Sequence, residues 1–311
     1  MRGRSALALS LAALAACALA VGFSTAAFTD TSQNPQTVSA AADFLAPTAA
    51  ASTIAKTQGG VAGTIKKGGT YYVYANVSDS GNPASGASSV KANVAEITSG
   101  QTAVTLSAGS YSVDGDSYNY RSAQLTAGSL LSEGTKSYVL TLTDAAANSR
   151  TQSFTVAVDN RSFAGADIET ENSSGGTSGK AEKGDTIYFT FNRAPDPNSI
   201  VSGWDGSSAK SVTVSIADNS SNDTLSVSGA TIGSVALQGD YTNSGKTTTF
   251  SSSSLTVSGA TVRIVLGTDS GNAKTETTKN VLEWTPSASL YDAAANACST
   301  TKVKSENVRQ F

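Results

Sequence analysis

A twelve-residue stretch occurs twice in this chain, and its two copies constrain the fold more than any other feature. The copies are GTIKKGGTYYVY at residues 63–74 and GKAEKGDTIYFT at residues 179–190, and matched positions are 116 residues apart. Each copy places a glycine, which can adopt a positive φ, before alternating bulky β-formers, as a turn entering a half-buried strand requires. The repeat therefore predicts two related β-domains in tandem. The identical pairs are Gly63/Gly179, Lys67/Lys183, Gly68/Gly184, Thr70/Thr186 and Tyr72/Tyr188.

A second, shorter repeat closes each predicted domain. It reads TDAAAN at residues 143–148 and YDAAAN at residues 291–296. Asp and Asn can cap a tight hairpin through hydrogen bonds from side chain to backbone. We therefore predict structural turns at four residues, Asp144, Asn148, Asp292 and Asn296.

The composition favours an all-β fold and excludes several classes of protein. The 311 residues are 39% hydrophobic and have a mean hydropathy of −0.12, which excludes a polytopic membrane protein. Turn residues punctuate the chain at intervals typical of short strands. The chain contains no histidine, which excludes Ser-His-Asp and Cys-His nucleophiles and histidine-ligated zinc.

The strand pattern predicts two tandem immunoglobulin-like β-sandwich domains. Residues 47–160 contain about seven short alternating segments, the number expected of such a sandwich. Residues 164–311 form the second, larger domain, and a short Asp- and Asn-containing linker joins the two. We interpret the polar stretch 217–255 as an inserted hairpin or long loops outside the core, because extra residues in a surface loop cost little closure entropy, whereas extra residues inside a strand break its register.

The N-terminus has the features of a targeting segment. Residues 1–27 read as a signal peptide, with Arg2 and Arg4 before an apolar run and small residues before Phe28. An extended segment, residues 28–46, follows. Two alternatives stay open, lipidation at Cys17 and an uncleaved membrane anchor. We expect a bacterial protein that is secreted or held at the cell surface and that meets a membrane only through this segment.

Removal of the signal leaves an acidic chain with a single cysteine. The whole chain carries a net charge of −3, and residues 1–27 contain arginine but no acidic residue. The remainder is therefore more acidic, and a nucleic-acid partner is not expected. Cys298 then has no partner for an intrachain disulfide, and it is either a buried small hydrophobe or an intermolecular or reactive thiol.

Two segments resemble known families. Residues 27–49, AFTDTSQNPQTVSAAADFLAPTA, resemble the segment after the signal in biofilm-fibre and camelysin-like secreted proteins, which implies export to the surface. Residues 131–159 resemble the closing strands of bacterial immunoglobulin-like (Big-type) repeats. That resemblance implies that Tyr138 packs at a sandwich corner. The chain departs from the repeat pattern at Ala147, where the family has glycine.

Several groups of Asp and Asn residues carry the hard oxygens that calcium prefers. The linker trio Asp159, Asn160 and Asp167 lies where a bridging ion can sit between two sandwiches. Asp and Asn are also common in turns, so these groups are interpreted either as calcium ligands or as turn residues. No other cofactor is expected. The remaining groups are Asp79/Asn82, Asp114/Asp116 and Asp269/Asn272.

Two tryptophans are the candidate contacts for a carbohydrate or protein partner. Trp204 and Trp284 can stack on sugar rings if they are exposed, and the alternative is that both belong to the core.

The leading prediction for function is a secreted or cell-surface structural or adhesive protein without catalysis, binding an extracellular protein or polysaccharide. A carbohydrate-binding module is the alternative. A carboxylate glycoside hydrolase using Glu283 is a second alternative, for which no partner acid is identifiable.

Overall fold

Nearly all regular structure in the part of the chain that the structure describes is β-strand, as the sequence predicts. The computed structural model describes residues 43–57, 59–81 and 83–311. The predicted signal peptide, Cys17 and most of the extended segment lie outside the described residues. The described part contains one short helix, α1 (Pro197–Ile200), which Asp196 caps by accepting the amide hydrogen of Asn198. No helix in that part of the chain is both long and apolar enough to span a membrane.

The strands divide into two groups, each with its own hydrophobic core. We call residues 43–158 the first β-unit and residues 163–311 the second β-unit. The first core is built around buried aromatic and aliphatic side chains such as Tyr71, Tyr138 and Leu140, and the second around Phe189, Trp284 and their neighbours. Both β-units belong to one compact body that spans Ala42–Phe311.

The first β-unit contains nine strands. Their bounds are β1 Thr48–Lys56, β2 Thr64–Ile65, β3 Thr70–Ser78, β4 Ala87–Asn93, β5 Val104–Val113, β6 Asp116–Ser122, β7 Leu125–Thr126, β8 Gly134–Asp144 and β9 Ser149–Val158. Their order in the sheet is β1-β3-β6-β5-β4-β8-β9-β2, and β7 pairs with β3.

The second β-unit contains eleven strands. Their bounds are β10 Phe163–Glu171, β11 Thr186–Phe191, β12 Lys210–Ala217, β13 Thr224–Ser228, β14 Gly233–Ala236, β15 Thr247–Ser258, β16 Thr261–Val265, β17 Thr268–Asp269, β18 Glu283–Pro286, β19 Cys298–Ser299 and β20 Val303–Lys304. Their order is β19-β10-β11-β16-β15-β12-β13-β14-β18-β20, and β17 pairs with β15.

The two copies of the long repeat occupy matching places in their sheets. Strand β3 pairs with β1 and β6, and β11 pairs in the same antiparallel way with β10 and β16. The glycines that precede these strands have positive φ in both copies, 80° at Gly63 and 83° at Gly179. An L side chain rarely adopts this conformation, which explains why glycine recurs there. From β1 to β4 and from β10 to β12, the two sheets follow one strand order.

The stretch 217–255 is not outside the core, so this part of the sequence-based interpretation is wrong. Strands β13 and β14 form a hairpin that lies in the sheet between β12 and β18, whereas in the first β-unit β4 pairs directly with β8. Val235, Leu237 and Phe250 are 2% exposed or less. The polar residues that surround them mask this pattern, because each short strand contributes only one or two inward side chains.

Candidate functional site

Both tryptophans are buried in the second β-unit. Trp284 is fully buried, packs edge-on against Phe189 and Phe191 with ring centroids 5.0 and 5.1 Å away, and donates from Nε1 to the Ile232 carbonyl. Trp204 is 2% exposed and donates from Nε1 to the carbonyl of Ser208. A sugar-stacking platform needs an open ring face. The structure therefore fits the core alternative, and the hypothesis of exposed stacking residues does not fit it.

The linker trio already has cations at its central acid, Asp159. The Asp159 carboxylate forms ion pairs with Arg161 at 2.7 Å and with Arg193 at 3.0 Å. These contacts, with that of Arg161 the largest, hold the pKa of Asp159 well below its usual range. Asn160 accepts a hydrogen bond from the Lys67 amide, and Asp167 accepts one from the amide of Ile168. Two guanidinium groups already supply positive charge at Asp159, so the predicted calcium site at this linker is not supported.

The two DAAAN turns have the same internal hydrogen bonds. The amide and the side-chain nitrogen of Asn148 donate to the two carboxylate oxygens of Asp144, at 2.8 and 2.7 Å. Asn296 makes the same two bonds to Asp292, at 2.9 and 3.1 Å. Each turn also places an alanine in the left-handed region, with φ of 69° at Ala147 and its counterpart at 52°. Asp and Asn therefore fix a turn whose backbone would suit glycine better.

Each turn is also tied to a residue that precedes the first strand of its own β-unit. Asn148 Nδ2 donates to the Asp43 carbonyl at 3.2 Å, and Asn296 Nδ2 donates to the Asp159 carbonyl at 3.1 Å. Both aspartates accept, at 3.0 Å, the amide hydrogen of the residue two positions on. Asp43 and Asp159 are thus structural counterparts. Sequence reasoning missed Asp43, although its spacing from Asp159 is the same as that of the long repeat.

The counterpart acids have different neighbours in the two β-units. In the second, Arg193 Nη1 lies between Asp159, at 3.0 Å, and Asp292, at 3.4 Å. In the first, Asp43 and Asp144 meet a third acid, Asp79, and one carboxylate oxygen from each lies within 4.8 Å of the others. No lysine or arginine in the described part of the chain forms an ion pair with these three. We call Asp43, Asp79 and Asp144 the acidic trio.

The turn of the second β-unit docks against the first. Lys56 Nζ donates to the carbonyls of Ala293 and Thr64 at 2.7 and 3.3 Å, and Lys66 Nζ donates to the carbonyl of Ala295 at 2.6 Å. The Val61 amide donates to Ala293 as well, at 2.9 Å. Burial lowers the pKa of Lys56 to about 8. Bonds from the half-buried Lys56 and Lys66 to backbone carbonyls therefore join the two β-units at this turn.

A cleft of about 620 Å³ opens beside this contact. Its lining comes from both β-units and includes Asp114 from the first and Asp196, Trp204 and Asp205 from the second. Burial raises the pKa of Asp196 above its usual value. Carboxylates accept hydrogen bonds from hydroxyl groups and attract cations, so a neutral polyol or a cation suits this cleft better than an anion.

Two residues considered for chemistry are held in unreactive states. Cys298 is 5% exposed, and burial raises the pKa of its thiol to about 11, which keeps it protonated and a poor nucleophile. Glu283 pairs with Lys304 and Lys302, each at 2.9 Å, and these hydrogen bonds lower its pKa to about 2. A glycosidase general acid needs a raised pKa, so Glu283 does not suit the acid half of a carboxylate pair.

Comparison with known proteins assigns no family to this chain. No protein-family model matches it, and no curated protein matches it. The resemblances to biofilm-fibre and Big-type proteins therefore rest on the residues that carry them.

Proposed function

We propose that this chain is an exported structural or adhesive protein that presents the surfaces of two immunoglobulin-like β-sandwich units and catalyses no reaction. The carrying observation is the docked turn at residues 291–296, which Lys56 and Lys66 bind through its backbone carbonyls. Hydrogen bonds between successive β-units restrain one unit against the other, and such a restraint suits a protein that transmits force or displays a surface.

The sandwich assignment is supported by the matching strand order and by the behaviour of β5. One end of β5 pairs with β4 at Val104 and Thr105, and the rest of β5 pairs with β6 from Leu106 to Val113, with a register shift between Ala108 and Tyr111. Because β5 pairs with β4 at one end and with β6 along the rest, it belongs to both halves of the sheet. A sheet that is continuous through such a strand can fold over and cover the core from both sides, as in a sandwich. Tyr138 is buried in the first core, which is compatible with the corner position that the resemblance to Big-type repeats implies.

Absence of catalysis is supported by the chemistry of the side chains. The chain contains no histidine. Cys298 is held as a buried thiol, and Glu283 is held ionised by two lysines. General acid–base catalysis at neutral pH needs a group poised to exchange a proton, and neither residue is.

Export and adhesion can each be tested directly. Antibodies against the purified chain should label intact host cells or detect the chain in the medium, and detection only after lysis would contradict export. Beads coated with the folded chain should adhere to one or more members of an array of extracellular proteins and polysaccharides, with heat-unfolded chain as the control. Release of new reducing ends from any polysaccharide would contradict the proposal of a non-catalytic protein.

A second candidate function is polysaccharide binding in the cleft between the β-units. The observation that favours it is the set of carboxylates at Asp114, Asp196 and Asp205, which can accept hydrogen bonds from sugar hydroxyls. Titration calorimetry with soluble polysaccharides should show binding that Asp114→Asn and Asp205→Asn weaken. Asp116→Asn, an exposed acid outside the cleft, is the control. Equal affinity in all four proteins would remove this candidate.

A further inference from the structure

The acidic trio concentrates negative charge in a largely buried place. Asp43 is 7% exposed and Asp144 is 2% exposed, and one oxygen of each lies within 4.8 Å of one from Asp79. Like charges at this separation repel strongly once water is excluded. Hydrogen bonds from the backbone amides of Leu45, Ser85 and Asn148 offset part of this cost. They do not supply a positive charge.

One oxygen of the trio has no partner. Asp79 Oδ2 accepts the Gly86 amide hydrogen, but Asp79 Oδ1 is buried and accepts no hydrogen bond from the described residues. A buried carboxylate oxygen without a partner is costly, and native structures rarely leave one. The Asp43 carboxylate lies beside it, with one oxygen of each acid within 4.8 Å of the other. A cation, a shared proton or an ordered water would satisfy the buried oxygen, and of these only a cation or a proton also reduces the negative charge.

The second β-unit shows which of these the fold uses at the matching place. Asp159 and Asp292 are the counterparts of Asp43 and Asp144, and they hold the guanidinium of Arg193 between them. Arg193 lies 116 positions after Val77, so the first β-unit has an aliphatic residue where the second has a cation. The first β-unit instead contributes a third carboxylate, Asp79. Compared with the second β-unit, the first has one more carboxylate and one fewer arginine at this place. This difference is expected if a bound metal cation takes the place of the guanidinium.

We propose that Asp43, Asp79 and Asp144 bind one calcium ion. Calcium takes carboxylate and carbonyl oxygens at 2.3–2.6 Å, so any two of its ligand oxygens lie no more than about 5 Å apart, and the three oxygens of the trio, all within 4.8 Å of one another, meet this condition. Zinc and copper prefer nitrogen or sulfur ligands, and the trio has neither. Magnesium needs a tighter, nearly ideal octahedron. The inference stands on this geometry and not on the proposed function.

The ion would join three separate parts of the first β-unit. Asp43 precedes β1, Asp79 follows β3, and Asp144 ends β8 at the DAAAN turn. Binding would therefore fix the start of the first β-unit to its closing turn, as Arg193 does in the second. Calcium would act as a structural clamp.

A second acidic group shows what a compensated cluster looks like in the same chain. Asp218, Asp223 and Asp240 also converge, but Asp223 accepts three backbone amide hydrogens and Asp240 pairs with Lys274. None of its buried oxygens is without a partner in the described part of the chain. It therefore provides the matched control for substitutions at the trio.

Calcium titration of the purified full chain, after treatment with EDTA, tests the proposal. Calorimetry should give one calcium ion per chain, and at a calcium concentration 100-fold above Kd the melting temperature should rise by about 5 to 10 °C. Magnesium at the same concentration should have a much smaller effect. Asp79→Asn should weaken calcium binding by about tenfold or more, whereas the control Asp218→Asn should leave it unchanged.

Several results would contradict calcium binding at the acidic trio. If calcium changes neither the melting temperature nor the calorimetric trace, the proposal is overturned, and a shared proton or an ordered water explains the buried oxygen of Asp79. Calcium binding that survives Asp79→Asn but disappears in Asp218→Asn would place the ion elsewhere and overturn it as well. If Asp79→Asn does not fold, terbium binding to the wild-type chain tests the proposal instead. Terbium should bind at one site from which calcium displaces it, and the absence of such a site refutes the proposal.

Discussion

Replacing Arg193 with methionine should destabilise the second β-unit more than the loss of an ordinary surface charge. The guanidinium lies between two carboxylates, its side chain is 18% exposed, and that of Asp292 is 3% exposed. Removing one partner of a buried pair costs about 3–5 kcal/mol. Asp159 keeps Arg161, and Asp292 keeps its bonds from Ala294 and Asn296, so we expect a loss of about 2–3 kcal/mol.

Urea unfolding followed by tryptophan fluorescence measures this loss. Both tryptophans lie in the second β-unit, so the signal reports on the unit that contains Arg193. The midpoint should move to lower urea with little change in the slope, because the substitution alters an ion pair and not the surface exposed on unfolding. The melting temperature should fall by several degrees.

The matched control is Arg161→Met, which removes the other cation from the same carboxylate. The Arg161 side chain is 64% exposed, and exposed ion pairs contribute about 1 kcal/mol or less. Equal losses in the two variants would refute the reasoning from burial. A loss below about 0.5 kcal/mol for Arg193→Met would show that the pairing with Asp292 contributes nothing measurable.

Three further predictions concern single residues. The free energy of unfolding of the wild-type chain should rise with pH between 8 and 10 because of Lys56. The unfolded chain keeps the Lys56 proton up to the ordinary pKa of 10.5, whereas the folded chain releases it near pH 8. Urea unfolding of Lys56→Met should lack this rise of stability with pH. Trp284→Ala should cost about 3–5 kcal/mol through the cavity beside Phe189, and a loss near that of a surface substitution would contradict its place in the core. Ala147→Gly should stabilise the chain by about 0.5 kcal/mol in thermal unfolding, because φ is 69° at this position. The backbone strain that glycine relieves in the folded chain slightly exceeds the conformational entropy that it adds to the unfolded chain. A destabilised variant would show that Ala147 is not strained.

Local conformation was predictable because it depends on residues close in the chain. Glycine before a run of β-formers predicts a turn and a strand, and Gly63 and Gly179 indeed have the positive φ that excludes most side chains. The repeats at residues 63–74 and 179–190 predict matching strands, and β3 and β11 occupy matching places in their sheets. The all-β fold is confirmed for the same reason, since alternation has a period of two wherever a strand is half-buried.

Pairing between distant residues decided the rest. The polar segment around β13 and β14 enters the sheet because β12 and β18 offer it two edges, and local composition carries no record of those edges. Composition likewise could not tell a buried tryptophan from an exposed one. The acidic trio joins Asp43, Asp79 and Asp144 only after three strands have paired, and Arg193 reaches its two acids in the same way. The sequence by itself determined the strands and their repetition, whereas the tertiary structure alone decided which charges meet, because Coulomb energy depends on distance in space and burial and not on distance along the chain.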